Sequence, residues 1–102
     1  MLTSKRSEDT RYRGVKSPGG SRVLREDSSG AVVLVNEADS EWGIDSEKTE
    51  RLAFVLLADA FSDEEAFAFS TDFMFDVLAD LEAEWVLTVA DITDWLNGYV
   101  DD

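Results

Sequence analysis

The chain has 102 residues, no cysteine, no histidine, and 23 acidic against nine basic side chains, for a formal net charge of −14. This length supports one small domain with a single core. Without Cys or His, disulfides, thiolate catalysis, the commonest general base and the commonest transition-metal ligand are all excluded, and neither a cofactor nor a metal is expected.

Charge is unevenly distributed. Residues 1–25 carry seven basic and two acidic groups, for +5, whereas the remainder carries two basic and 21 acidic groups, for −19. Three readings account for the acidity. Carboxylates keep a surface hydrated at high salt, and with only three Lys and more Asp than Glu this adaptation is the simplest reading. The second is mimicry of nucleic acid, with spaced carboxylates taking a partner's phosphate sites, and the third is a cationic protein partner. No apolar run is long enough to span a bilayer, and M-L-T-S-K-R lacks the apolar middle of a signal peptide, so a soluble cytoplasmic protein is expected.

Residues 1–9 are polar and aperiodic, which reads as a mobile tail able to fold back onto acidic surface. Thr10 to Val15 forms a first short strand, ended by the S-P-G-G turn within Lys16 to Gly20. Arg22 to Glu26 and Ala31 to Asn36 then flank Asp27-Ser28-Ser29-Gly30 as a hairpin. The run Ala31 to Val35 is continuously apolar, so this strand is expected to be the most buried, covered on both faces. Arg11, Arg13, Arg22 and Arg25 with Tyr12 are candidates for nucleic-acid contact, four cations for phosphates and one ring for a base. The −19 of the rest of the chain opposes a polyanion, which favours a merely solvated basic arm.

Glu37 to Asp45 is a loop by composition, but it holds Trp42 beside Gly43. An indole is costly to expose, so the loop is expected to be pinned by Trp42, with a binding loop as the alternative. Asp45 or Ser46 caps a first helix whose apolar side is Leu52, Ala53, Val55, Leu56, Ala60 and Phe61.

Ser62 to Leu81 predicts a second, aromatic-rich helix. Ser62 and Glu65 have the spacing of a reciprocal cap, with Asp63, Glu64 and Glu65 at the positive helix end. Ala66, Phe69, Ser70, Phe73, Val77 and Leu81 make one row and Phe67, Met74 and Leu78 its neighbour, an apolar face too wide for contact on one side only. Asp72, Asp76 and Asp80 fall on the opposite face. With Trp42 and Gly43 they form the candidate partner surface. Trp85-Val86-Leu87 reads as a brief extended piece, after which Thr88, with Asp91 at the cap, opens a third helix that docks through Ile92, Trp95, Leu96 and Tyr99. Asn97-Gly98 end that helix, and Asp101-Asp102 are a solvated tail.

No constellation specific to catalysis is present. There is no phosphate-binding glycine motif and no twelve-residue calcium loop. Carboxylate neighbours such as Glu64 with Glu65 or Asp91 with Asp94 belong more simply to caps and solvated faces than to acid–base work. The chain is not expected to be an enzyme.

Tyr12-Arg13-Gly14, Glu41-Trp42-Gly43, Leu52-Ala53 with Leu56-Leu57-Ala58-Asp59, Asp63-Glu64-Glu65-Ala66, Asp72-Phe73, and Trp85-Val86-Leu87-Thr88 followed by Asp91-Ile92 and Trp95-Leu96 occur in an order that resembles a known family. It is a family of small proteins, catalogued as a domain of unknown function, from bacteria, archaea and their plasmids and viruses. The resemblance covers Tyr12 to Leu96 and implies no activity; together with the acidity it implies a haloarchaeal or mobile-element protein.

The expected fold is therefore α+β: a small antiparallel sheet of about three N-terminal strands packed on three C-terminal helices, with residues 10–100 as one domain. The expected function is that of a small acidic non-enzymatic interaction protein, acting through an acidic helical surface or the Trp42 loop. The alternative is nucleic-acid engagement, by acidic mimicry or through the basic hairpin.

Overall fold

Alternation in the first third of the chain produces three strands, β1 (Arg11–Ser17), β2 (Gly20–Glu26) and β3 (Val32–Asn36), in a computed structural model that describes residues 4–17, 20–36 and 40–100. Helices α1 (Glu47–Ala60) and α2 (Asp63–Asp76) follow, then a 3₁₀ turn (Leu78–Asp80), a fourth strand β4 (Glu84–Thr88) and helix α3 (Val89–Val100). The fold is α+β, as expected. The sheet is fully antiparallel in the order β3-β2-β1-β4. It has four strands rather than about three, because Trp85-Val86-Leu87 is a full edge strand paired with Arg11 to Val15. The helices cover one face of this sheet, and Tyr12, Val23, Trp42, Leu52, Leu56, Phe73, Trp85 and Leu96 meet in the core between.

Local signals set the helix starts. Ser46 Oγ accepts from the Thr49 N–H at 3.2 Å to cap α1. Thr88 and Asp91 form a reciprocal box at α3, each backbone N–H donating to the other's side chain at 3.0 Å. At α2 the expected reciprocal cap is absent: the Ser62 hydroxyl donates to the Glu65 carboxylate instead of accepting from the backbone. Either arrangement draws Glu65 to the positive helix end.

Two expectations require correction. β3 is an edge strand, not the most buried one; Val32 is 57% exposed on the helix-free face, and Val33, on the helix side with Arg25, is still 45% exposed at the margin of the sheet. The second helix stops at Asp76, with Val77 leaving helical geometry before the 3₁₀ turn. Its apolar surplus is not all packed: Ala66, Ser70, Phe73 and Met74 are buried, but Phe67 is 78% exposed. Residues 4–9 lie against the helices. The Lys5 N–H donates to the Ala60 carbonyl at 2.9 Å, and the Ala90 N–H donates to Glu8. Expectations that concern residues 1–3, 18–19, 37–39 and 101–102 lie outside the described residues. Among the described residues no helix is long and apolar enough to cross a membrane.

Candidate interaction surface

Of the residues proposed from sequence as contact residues, the two aromatic ones, Tyr12 and Trp42, are buried, whereas Arg11, Arg13, Arg22, Gly43, Asp76 and Asp80 are exposed. Tyr12 alternates inward from β1, is fully buried, and donates its hydroxyl to Asp59 Oδ2 on α1 at 2.7 Å. Arg6 reaches the same carboxylate with two nitrogens at 2.9 Å each, and Arg25 from β2 at 2.5 Å. Each Asp59 oxygen thus accepts two bonds, and Arg6 Nε also donates to the Asp59 carbonyl at 2.8 Å. Burial opposes the charged form of Asp59, but the bonds from Tyr12, Arg6 and Arg25 outweigh it and hold the carboxyl below its ordinary pKa. Burial, and then the bond to Asp59, push the Tyr12 phenol far up. The ring expected to stack on a base has no free face, and Arg25 is neutralised.

Trp42 is likewise a pin and not a docking surface. It is 1% exposed, donates to the Glu82 carbonyl at 2.7 Å, and meets Trp85 edge-to-face at 5.5 Å between ring centres. Gly43 has φ +79°, where a side chain is disfavoured, and its N–H donates to the Leu78 carbonyl at 2.8 Å. Trp85 lies over Gly14, its partner in the β1–β4 ladder; a Cβ on Gly14 would sit 2.1 Å from the indole Nε1. That buried Trp85 N–H has no acceptor among the described residues.

The aspartate row is broken up. Asp72 accepts from the Tyr99 hydroxyl at 2.8 Å, a bond that raises the pKa of that phenol, and Asp76 accepts from Trp95 Nε1 at 3.2 Å. These two carboxylates tie α2 to α3, whereas Asp80 is exposed on the 3₁₀ turn, off the helix.

Among the described residues two surfaces bear on a contact role. On the helix-free face of the sheet, ladder pairing aligns Arg11 with Glu26, Arg13 with Leu24 and Val86, and Val15 with Arg22. Arg11 donates to Glu26 at 2.6 Å, and Arg13 and Arg22 are exposed. The basic hairpin is therefore divided between a buried knot and an outer face without an aromatic ring.

The second surface is on the helices and was not singled out from the sequence. Phe67, Thr71 and Phe75, at i, i+4 and i+8, run along the outer side of α2, all exposed, with Phe67 at 78% and Phe75 at 51%. Phe67 meets Phe54 of α1 edge-on at 4.9 Å, and the groove between the two helices is lined further by Glu47, Glu50 and Arg51. The available signal was the apolar excess of α2 over what one packed face requires.

Fold and surface together define a small α+β domain whose Asp59 cluster is saturated by its own partners and whose exposed apolar side chains lie mostly on α2, on α3 and on the edge strands. The chain belongs to a family of unknown function, DUF6166, whose model matches residues 12–98. No curated protein and no solved structure matches it.

Proposed function

We propose that the protein is a non-enzymatic cytoplasmic interaction module that receives a cationic amphipathic helix of a partner protein in the α1–α2 groove. The observation that carries this reading is Phe67, 78% exposed beside Phe54 and on one stripe with Phe75. Two exposed phenylalanines on one helix are an unusual cost for a monomer, and apolar anchors at helical spacing fit a helix laid along them. Glu47 and Glu50 on the rim, and a chain of net charge −14, select basic flanks on that partner. A catalytic role draws no support from Asp59, whose oxygens are occupied by Tyr12, Arg6 and Arg25.

A designed peptide with leucines at i, i+3, i+4 and i+7 and lysines elsewhere is the test. It should bind with chemical-shift changes centred on Phe54, Phe67 and Phe75, and the Phe67→Ala, Phe75→Ala double variant should bind at least about tenfold more weakly. Equal binding by that variant would mean that charge alone attracts the peptide, and the reading would fail. The remaining acidity suits a protein hydrated at high salt; its melting temperature should then rise with KCl into the molar range as carboxylate repulsion is screened.

A further inference from the structure

The outer edge of β3 faces no described strand, since β3 ends the sheet order. Its backbone parity follows from the start of the β2–β3 ladder. Asp27 bonds across to Ala31 and Arg25 lies two residues before it, so the backbone groups of Arg25, like those of Asp27, face β3. The Asp27 N–H donates to the Ala31 carbonyl at 3.1 Å. With Arg25 opposite Val33, the N–H and C=O of Val33 point inward, and those of Val32 and Leu34 point out from the sheet.

An exposed edge ordinarily carries Lys, Pro or an inward charge that discourages pairing. Here Gly30 to Asn36, G-A-V-V-L-V-N, contains none. Its register is also self-complementary. About a two-fold axis through Val33, Val32 of one copy lies opposite Leu34 of the other, and the two outward N–H groups on each strand meet the two outward carbonyls of its mate. Four hydrogen bonds form with no unpaired group between them, and Val33 lies beside its own symmetry mate. Electrostatics favour the same place. The four strands carry five basic and two acidic residues, for +3, whereas the three helices carry two basic and ten acidic residues, for −8, so two copies meet at a sheet edge with less repulsion than through the acidic α2 face.

We propose that the protein self-associates through antiparallel β3–β3 pairing centred on Val33, joining two four-stranded sheets into one of eight strands. The partner is a second copy of this chain. The inference is independent of the groove on α1 and α2, and salt separates the two: screening strengthens pairing of like-charged copies and weakens capture of a cationic helix.

Sedimentation equilibrium of the full chain in dilute and in molar KCl should show a monomer–dimer equilibrium shifting to dimer with salt. Val33→Lys and Val33→Glu place like charges side by side across the axis, so each should be monomeric, and an equimolar mixture of the two should form a heterodimer. Hydrogen exchange on the unaltered protein gives a second readout that does not depend on the variants folding: the Val32 and Leu34 amides should gain protection as protein concentration rises. A chain that stays monomeric in molar KCl, a dimer that survives both Val33 variants, or Val32 and Leu34 amides that exchange freely at dimer concentrations would each overturn the proposal.

Discussion

Two groups of aromatic side chains divide the molecule. Tyr12, Trp42 and Trp85 lie between sheet and helices, each buried and each fixed by a neighbour: Asp59 for the phenol, the Glu82 carbonyl for one indole, Gly14 beneath the other. Phe67 and Phe75 stand on the outer side of α2 with half or more of their surface in solvent. Tyr12, Gly14, Trp42 and Trp85, which carry part of the family resemblance, are buried, and Tyr12 bonds to Asp59 while Trp85 packs on both Gly14 and Trp42, which makes these residues architecture. The second group lies outside the quoted motifs and leaves apolar surface in solvent. A hydrophobic side chain that fills a gap and one that leaves a gap to be filled look alike in a sequence.

The sharpest way to break this division is at Trp85. Trp85→Ala should cost about 3–5 kcal/mol in urea unfolding, since it empties the space between Gly14 and Trp42. Gly14→Ala should cost about 2–3 kcal/mol, because a Cβ there meets a rigid indole held from behind by Trp42. In a Trp85→Leu background the same Gly14→Ala change should cost far less, and a double-mutant cycle measures that coupling. Additive effects would mean that Gly14 and Trp85 do not share the space.

Next in size is the Asp59 knot. Asp59→Asn leaves Arg6 and Arg25 without their carboxylate and should cost about 2–3 kcal/mol near neutral pH, less than a fully buried pair because the cluster is partly solvated. Tyr12→Phe removes one donor and should cost about 1 kcal/mol. The pH dependence has a definite sign. The pKa of Asp59 is lowered by folding, so its contribution is fully present above the unfolded value of about 4 and is lost as pH falls through the lower folded value. The gap between the unaltered chain and Asp59→Asn should therefore close below about pH 4. A gap that stays constant down to about pH 2 would show that Asp59 is not held as a charged acceptor.

Legibility of the sequence follows the range of the interaction that decides each feature. Ser46 before α1 and the Thr88–Asp91 box were readable because cap and capped residue are three apart. The strand character of Trp85 to Leu87 was readable too, but its partner is Arg11 to Val15, some seventy residues away, and the fourth strand was missed in the count. Asp59 was overlooked for the same reason: its donors lie 47 and 34 residues distant at Tyr12 and Arg25, and 53 at Arg6. β3 misled because an uninterrupted apolar run describes a buried strand and a sticky edge equally well. Period 3.6 told which side chains of α2 share a face, but not which face a neighbour covers.

The smallest expected effect is the most discriminating, because it sets two phenylalanines of one helix against each other. Phe73 is 1% exposed and stacks edge-on against Trp95 at 5.1 Å, so Phe73→Ala should cost about 3–5 kcal/mol. Phe67, six residues earlier, gives up little apolar contact when shortened, because most of its ring is already in water; what is lost is the edge contact with Phe54. Phe67→Ala should therefore shift stability by less than about 1 kcal/mol. Unfolding curves for the two variants, measured side by side, decide the point. If Phe67→Ala proves as damaging as Phe73→Ala, its ring is packed in solution, the α1–α2 groove is closed, and the reading of that groove as a partner site goes with it. If it is nearly silent while the cationic helical peptide loses affinity, the same side chain is idle in folding and active in binding, which is what an exposed anchor requires.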